Sequence, residues 1–445
     1  MGVLTANGPP RRWSEAFRND LVPGLLFLLA MLLYAPRLDV PPRYMFDEVY
    51  HSFTAGQYVA GNADAYVWYT DAPRQDVAYM WNHPPAGVLM IAGGILLWGD
   101  HPFGWRFSSA VFGAAGVLLV YLLALRMTRD RWVAVLSAFL VLCDTLWFVQ
   151  SRVGMLDVFG AVFATAALFS LYGYLTAPPE RIVRSLAWTG LFLGLALTTK
   201  WNAAFVSVCC GSLVLYRCFR SWLAARFDPT PRTRQVWHAH RIGLPLGFAV
   251  IPALVYLVGY VPFFATGHDW SQFVELQRQI FVYHSRLEAT HGYQSLWWEW
   301  PLALKPVWYS VTYTPATVAH VYANGSPLLY WGFIPSVLAV SAGWWRRSDP
   351  ALAVLLIGFF GQWLPWALSP RTAFAYHFLP AVPFGCIAVA CVGLGLWRRG
   401  RLWRSVVAVY LLLLVAYFFF AYPIHAALPV PRQSFIVRHF VPSWK

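Results

Sequence analysis

Apolar stretches near or above the ~20 residues that a helix needs to cross a bilayer recur along the whole chain. Read as helices, they predict spans at 21–35, 105–125, 132–149, 153–175, 185–199, 202–216, 242–264, 327–343, 350–368, 372–396 and 405–422. One further apolar stretch, 86–98, is short for a crossing and lies between His83-Pro84-Pro85 and Gly99-Asp100. That length suits an interfacial or re-entrant helix. The first block begins at Leu21 and is followed by Pro36-Arg37-Leu38 rather than a small-residue cleavage site, so it reads as a retained span. The expected fold class is an all-α polytopic membrane protein, one transmembrane domain over 1–445 with about eleven helices.

Composition agrees. Only 12% of the 445 residues are charged and 59% are hydrophobic, against about 25% charged in soluble domains. The net charge of +14 does not point to nucleic acid, because the basic residues are spread over short loops, as a protein facing anionic lipid requires. With the N-terminus inside, the inner loops carry Arg11, Arg12 and Arg18, then Arg126, Arg129 and Arg131, then Arg181 and Arg184. The run from Arg217 to Arg241, the Arg346-Arg347 pair, and Arg398, Arg399, Arg401 and Arg404 complete the set. If 86–98 crossed fully, every later loop would invert and this pattern would fail. The C-terminus is therefore expected outside. The six cysteines lie in or beside apolar runs with no metal-ligand spacing and read as small hydrophobes.

Two long outer segments, 36–104 with its surface helix and 265–326, are rich in Trp, Tyr and His. At the same level four basic residues meet span ends: Arg106, Arg152, Lys200 and Arg371. Singly, each reads as a snorkelling side chain. Brought together, they would make a positive pocket for a phosphate. Asp47-Glu48 lies in Tyr44-Met-Phe-Asp-Glu-Val-Tyr-His51 and supplies a candidate acid/base pair. Asp157 sits in a span five residues beyond Arg152, its nearest obvious partner, and Asp144 in a span either caps a helix or pairs across the bundle. His83, His284, His291 and His377 complete the polar inventory. No His-x-Glu cluster marks a metal, and a divalent cation at Asp47, Glu48 or a histidine stays an open reading.

A positive outer pocket beside a carboxylate suits transfer from a lipid-linked phosphosugar. The cations would hold the polyprenyl phosphate as it leaves, and the carboxylate would take a proton from the incoming hydroxyl opposite it. Such a single displacement inverts the anomeric carbon.

The same residues resemble those of the protein O-mannosyltransferases, glycosyltransferases of GT-C architecture (family 39). The matching pieces run in order over roughly residues 20 to 425. They are Phe46-Asp-Glu-Val, His83-Pro-Pro-Ala-Gly87, Arg106-Phe-Ser-Ser-Ala with Gly113, Gln150-Ser-Arg-Val-Gly-Met-Leu-Asp157 and Gly194-Leu-Ala-Leu-Thr-Thr-Lys-Trp201. Tyr283-His284, His291-Gly-Tyr-Gln-Ser295, Trp300-Pro301 and Ser369-Pro-Arg-Thr-Ala-Phe-Ala-Tyr-His-Phe-Leu-Pro380 follow. The resemblance implies that Asp47 is the catalytic carboxylate and Arg106 a donor-phosphate arginine. It implies eleven spans, a polyprenyl-phosphate mannose donor, and Ser or Thr acceptors on secreted or membrane proteins. A multi-pass enzyme of the plasma membrane, working beside the translocation machinery with its site outside, is the expectation. Three departures stand out. Val88 occupies a position where the family often has Lys, which leaves one phosphate contact either missing or supplied by Lys200. Tyr50 intervenes between Val49 and His51, and the second outer segment is too short for β-trefoil repeats. Rival readings are a GT-C transferase modifying a lipid or polysaccharide, as an aminoarabinose transferase does, and a transporter or flippase.

Overall fold

The computed structural model describes residues 21–287, 290–369 and 371–444. The readings that rest on Arg11, Arg12, Arg18 and Pro370 lie outside them. Nine helices among the described residues are long and apolar enough to cross a membrane: Pro102–Thr128 (here α4), Asp157–Leu175 (α7), Pro179–Thr199, Trp201–Phe227, Pro231–Gly259, Pro327–Trp345, Ala351–Leu368, Ala375–Trp397 and Arg401–His425. Each falls on an expected span.

The two remaining expected spans are shorter helices. The first is α1 (Val22–Tyr34). The span expected over 132–149 is instead two pieces, α5 (Arg131–Leu142) and α6 (Thr145–Gln150). Asp144 causes the break: its Oδ1 accepts from the backbone N–H of Trp147 at 2.7 Å, and an extended, side-chain-capping residue starts a new helix. The stretch 86–98 is the 13-residue α3 (Ala86–Trp98), preceded in the same segment by α2 (Glu48–Val59).

Burial sorts the helices into core and rim. Over its most apolar window α7 is 78% buried, whereas Pro231–Gly259 is 11% buried and offers the apolar surface that lipid would cover. Helix α7 packs against α4 and against α8 (Ile182–Thr199). It begins only at Asp157, because Ser151–Leu156 leaves helical geometry between α6 and α7.

The second long segment contains helix α9 (Trp270–Arg286), opened by a capping box in which Asp269 and Gln272 exchange side-chain and backbone bonds. It also holds what an all-α reading omits. Strands β1 (Val307–Tyr313) and β2 (Thr317–Ala323) form an antiparallel hairpin with an irregularity at Tyr309, and the short β3 (Val430–Pro431) pairs with the far side of β2. The signal was present: both runs alternate β-branched and aromatic residues and flank Thr314-Pro315-Ala316.

Candidate functional site

The Asp47 corner is built by its neighbours. Phe46 has φ of +49°, a conformation that costs an L-residue free energy and persists where packing enforces it. The packing is a stack on Tyr309, with centroids 4.6 Å apart and rings 14° from parallel, closed at the edges by Phe374, Tyr376 and His291. The Tyr309 hydroxyl accepts from Gln150 Nε2 at 2.6 Å, so the stack is tied to the end of α6. The turn at Phe46 leads into α2, and Asp47 occupies its N-cap position without making a side-chain capping bond. Its half-buried carboxyl is pushed up to about 7, chiefly by desolvation and further by Asp157, while Lys200 draws it down.

Glu48 lies one residue on, in a different environment. It is fully buried. Its Oε1 accepts from Arg106 Nε at 2.7 Å and Gly154 N at 2.8 Å, and its Oε2 from Arg106 Nη2 at 2.8 Å and Met45 N at 3.0 Å. Arg106 is equally enclosed. Its remaining N–H groups go to the carbonyls of Leu38, Pro41 and Arg43. Glu48 keeps no oxygen free for a substrate proton, and Arg106 keeps no N–H free for a phosphate. The pair is a clamp that folds the first long segment onto α4. Gly154 completes it: a Cβ there would lie 2.2 Å from Ser52 Oγ.

Arg152 is also occupied. Its Nη1 donates to the carbonyls of Tyr34 and Pro36 at 2.6 and 2.7 Å, its Nη2 to that of Arg37 at 3.3 Å, and its guanidinium lies over Phe148. It caps the end of α1, where unpaired carbonyls carry the negative end of the helix dipole. The expected Arg152–Asp157 pair is absent, because the non-helical 151–156 separates them. Asp157 instead pairs with Lys200 at 2.9 Å, and Lys200 Nζ lies 5.3 Å from the Tyr376 ring centre.

Arg371 acts on Tyr376 as well. Its Nη1 donates to His284 Nδ1 at 2.6 Å, and His284 Nε2 meets the Asn82 carbonyl at 2.7 Å. The bonds are consistent only with a neutral ring that carries its proton on Nε2. Burial and then Arg371 push His284 down to about 4. His83 lies against it with centroids 4.9 Å apart, and burial followed by His284, Lys200 and Arg371 holds His83 neutral as well. Arg371 Nε is buried and finds no partner among the described residues. Of the four expected cations, then, Lys200 acts on Asp47, Arg371 shares the surroundings of His83 with Lys200, and Arg106 and Arg152 are engaged elsewhere. A narrow cleft starts at Lys200 and Asp157 and follows Gly160, Ala161 and Ala164 down one face of α7, opposite Gln362.

The other expected residues have local duties. Asp144 caps α6. His377 Nδ1 meets the backbone N–H of Phe374, and its ring packs on Trp366. His291 is exposed and lies edge-on to Phe46 and Phe374. Tyr309, Gln150 and Tyr376 shape the site without having been singled out, since only the fold brings them to Asp47. Among the described residues no three His, Cys, Asp or Glu side chains gather where a metal ion could be held. Glu48, with both oxygens taken, does not suit one.

Comparison with known proteins gives a consistent result. Residues 24–266 match the family model described as dolichyl-phosphate-mannose-protein mannosyltransferase, and 269–444 match the C-terminal four-transmembrane region of protein-O-mannosyltransferase. The polyprenol-phosphate-mannose–protein mannosyltransferase of Mycobacterium tuberculosis H37Rv is 28% identical over 97% of this chain and 93% of its own. That of Corynebacterium glutamicum is 25% identical over 82% and 81%. Among solved structures, the Saccharomyces cerevisiae Pmt1–Pmt2 complex bound to the sugar donor shares the fold with a TM-score of 0.78 at 16% identity, covering 98% of this chain and 93% of that one. Cupriavidus metallidurans ArnT bound to undecaprenyl phosphate reaches 0.55 at 15% identity over 91% and 74%. Since the two family models together run nearly unbroken from residue 24 to 444, the chain belongs to the dolichyl-phosphate-mannose-protein mannosyltransferase family.

Proposed function

We propose that the protein transfers mannose from polyprenyl-phosphate mannose to Ser or Thr hydroxyls of exported proteins, with inversion at the anomeric carbon and Asp47 as general base. The observation that carries this reading is the half-buried Asp47 carboxyl, within electrostatic reach of the Lys200–Asp157 pair at the mouth of the cleft along α7. A carboxyl raised to about 7 is a stronger base than an ordinary aspartate and still ionises near neutrality. In the reaction Asp47 takes the hydroxyl proton, the oxygen attacks C1 of mannose, and the C1–O bond to phosphate breaks. Lys200 and Arg371 stabilise the phosphate as it departs, and the prenyl chain lies in the cleft below. Asp157 and Tyr376 hold the Lys200 ammonium in place. The Glu48–Arg106 clamp sets the position of Asp47 without meeting substrate.

In this reading the Asp47 end of the bundle faces away from the cytoplasm in the plasma membrane, where acceptors emerge from the translocation machinery. The test supplies labelled polyprenyl-phosphate mannose together with a Ser/Thr-rich peptide or a lipid acceptor. Peptide labelling that Asp47→Asn abolishes is expected. Full-rate transfer by Asp47→Asn, or label in the lipid alone, refutes the proposal.

A further inference from the structure

Among the described residues, strand β1 is paired with another strand on one side only: β2 pairs with it, and β3 lies beyond β2. The phase of its open edge follows from two contacts. Val311 stands opposite His320 and Tyr313 opposite Val318. Arg43 Nη2 donates to the Val311 carbonyl at 3.0 Å, so that carbonyl points away from β2. In an antiparallel ladder the N–H of the same residue points with it, and the arrangement repeats two residues later. The Thr314 N–H bond to the Thr317 carbonyl at the hairpin end requires the same phase. Val311 and Tyr313 therefore line an edge with outward backbone donors and acceptors.

Open edges of this kind pair with any extended chain unless they are shielded. Among the described residues the exposed Arg43 side chain shields this one, spanning the Val311 carbonyl and Thr312 Oγ1. The edge also borders a cleft of about 270 Å³, lined by Tyr44, Met45, Phe46, Tyr293, Trp308 and Tyr309 as well as by Arg43 and the strand itself. Tyr293 and Trp308 are nearly parallel, 13° apart with centroids at 6.3 Å. They form a flat aromatic wall that takes varied side chains without selecting a charge. The other end of the cleft is Phe46, one residue from Asp47.

From this geometry we infer that the acceptor polypeptide binds as an extended strand along the open edge of β1, presenting its hydroxyl across Phe46 to Asp47. The inference rests on the proposed protein acceptor and adds how that acceptor is held. Main-chain bonds at Val311 and Tyr313 supply binding that is indifferent to sequence, as in other strand additions. Arg43 moves from the Val311 carbonyl when a peptide N–H takes its place.

Strand addition has a period of two, and that is what the experiment reads. The full-length enzyme, with polyprenyl-phosphate mannose as donor, is given a Ser/Thr acceptor peptide and a series carrying one backbone N-methyl group at each position in turn. At alternate positions the methyl removes a donor that faces β1, and KM is expected to rise about tenfold at those positions. KM should stay near that of the parent peptide at the positions between, with kcat little changed throughout. Uniform sensitivity, or none, with the parent peptide mannosylated normally, overturns strand addition and leaves the proposed function standing. No transfer to the parent peptide overturns both. A second arm changes the enzyme: Val311→Pro removes an outward N–H that takes no part in the β1–β2 ladder. It should raise peptide KM several-fold while donor KM stays unchanged. Equal peptide KM in Val311→Pro and the parent also overturns the inference.

Discussion

Asp47 and Glu48 are adjacent carboxylates, and the structure predicts opposite consequences for removing their charges. In Glu48→Gln one of the two oxygens becomes an NH₂ group. Whichever way the amide turns, that group confronts two donors, either Arg106 Nε with Gly154 N or Arg106 Nη2 with Met45 N. The fully buried Arg106 charge is then left with only carbonyl partners. Breaking a buried pair from one side costs about 3–5 kcal/mol, a large share of the ~5–15 kcal/mol that holds a typical domain folded. Glu48→Gln should therefore purify in low yield and unfold at a clearly lower temperature in detergent, followed by intrinsic fluorescence. Asp47→Asn should unfold near the parent temperature, because Asp47 makes no capping bond, and lose about 10²–10⁴-fold in kcat. A Glu48→Gln protein with the parent's thermal midpoint and no transfer would refute this, since Glu48 would then act on substrate rather than on Arg106.

Further outcomes follow from the same geometry. With Asp47 titrating at about 7 and the ionised form acting as base, kcat/KM should fall tenfold per pH unit below neutrality and level off above; a flat profile between pH 5 and 7 assigns the base elsewhere. Lys200→Met and Arg371→Met should each raise donor KM at least tenfold, and Lys200→Met should also lower the unfolding temperature, because it leaves the buried Asp157 unpaired. Arg152→Met should instead lower the unfolding temperature, because it leaves the carbonyls of Tyr34 and Pro36 unpaired. Gly154→Ala drives a Cβ to 2.2 Å from Ser52 Oγ and should destabilise by about 1–3 kcal/mol. Ser52→Ala should recover much of that loss in the double variant, and an additive double variant would show that the clash is not the cause.

The positions of nine long apolar helices were legible in the chain because lipid imposes a one-dimensional rule: an apolar run either reaches across or does not. Loop charge and run length were enough to assign 86–98 to a short helix, and the motif around Phe46 and Asp47 was visible as residue types in order. The roles of Arg106, Arg152, Lys200 and Arg371 were not legible, although all four sit at span ends. An arginine that satisfies five N–H groups on carbonyls and a buried glutamate looks, in sequence, the same as one that waits for a phosphate. The difference lies in contacts such as Leu38 and Pro41 with Arg106, which join positions far apart in the chain.

Sequence alone thus determined what kind of solvent the chain meets, where its long apolar helices lie and which polar residues stand at their ends. Only the tertiary structure decided which of those residues are already spent. It broke the helix at Asp144 and the backbone over 151–156, and so gave Asp157 to Lys200 rather than Arg152. It set Asp47 and Glu48 in opposite environments, and it placed an open strand edge beside them. Hydropathy is summed along a chain, whereas hydrogen-bond saturation is settled among groups that meet only on folding.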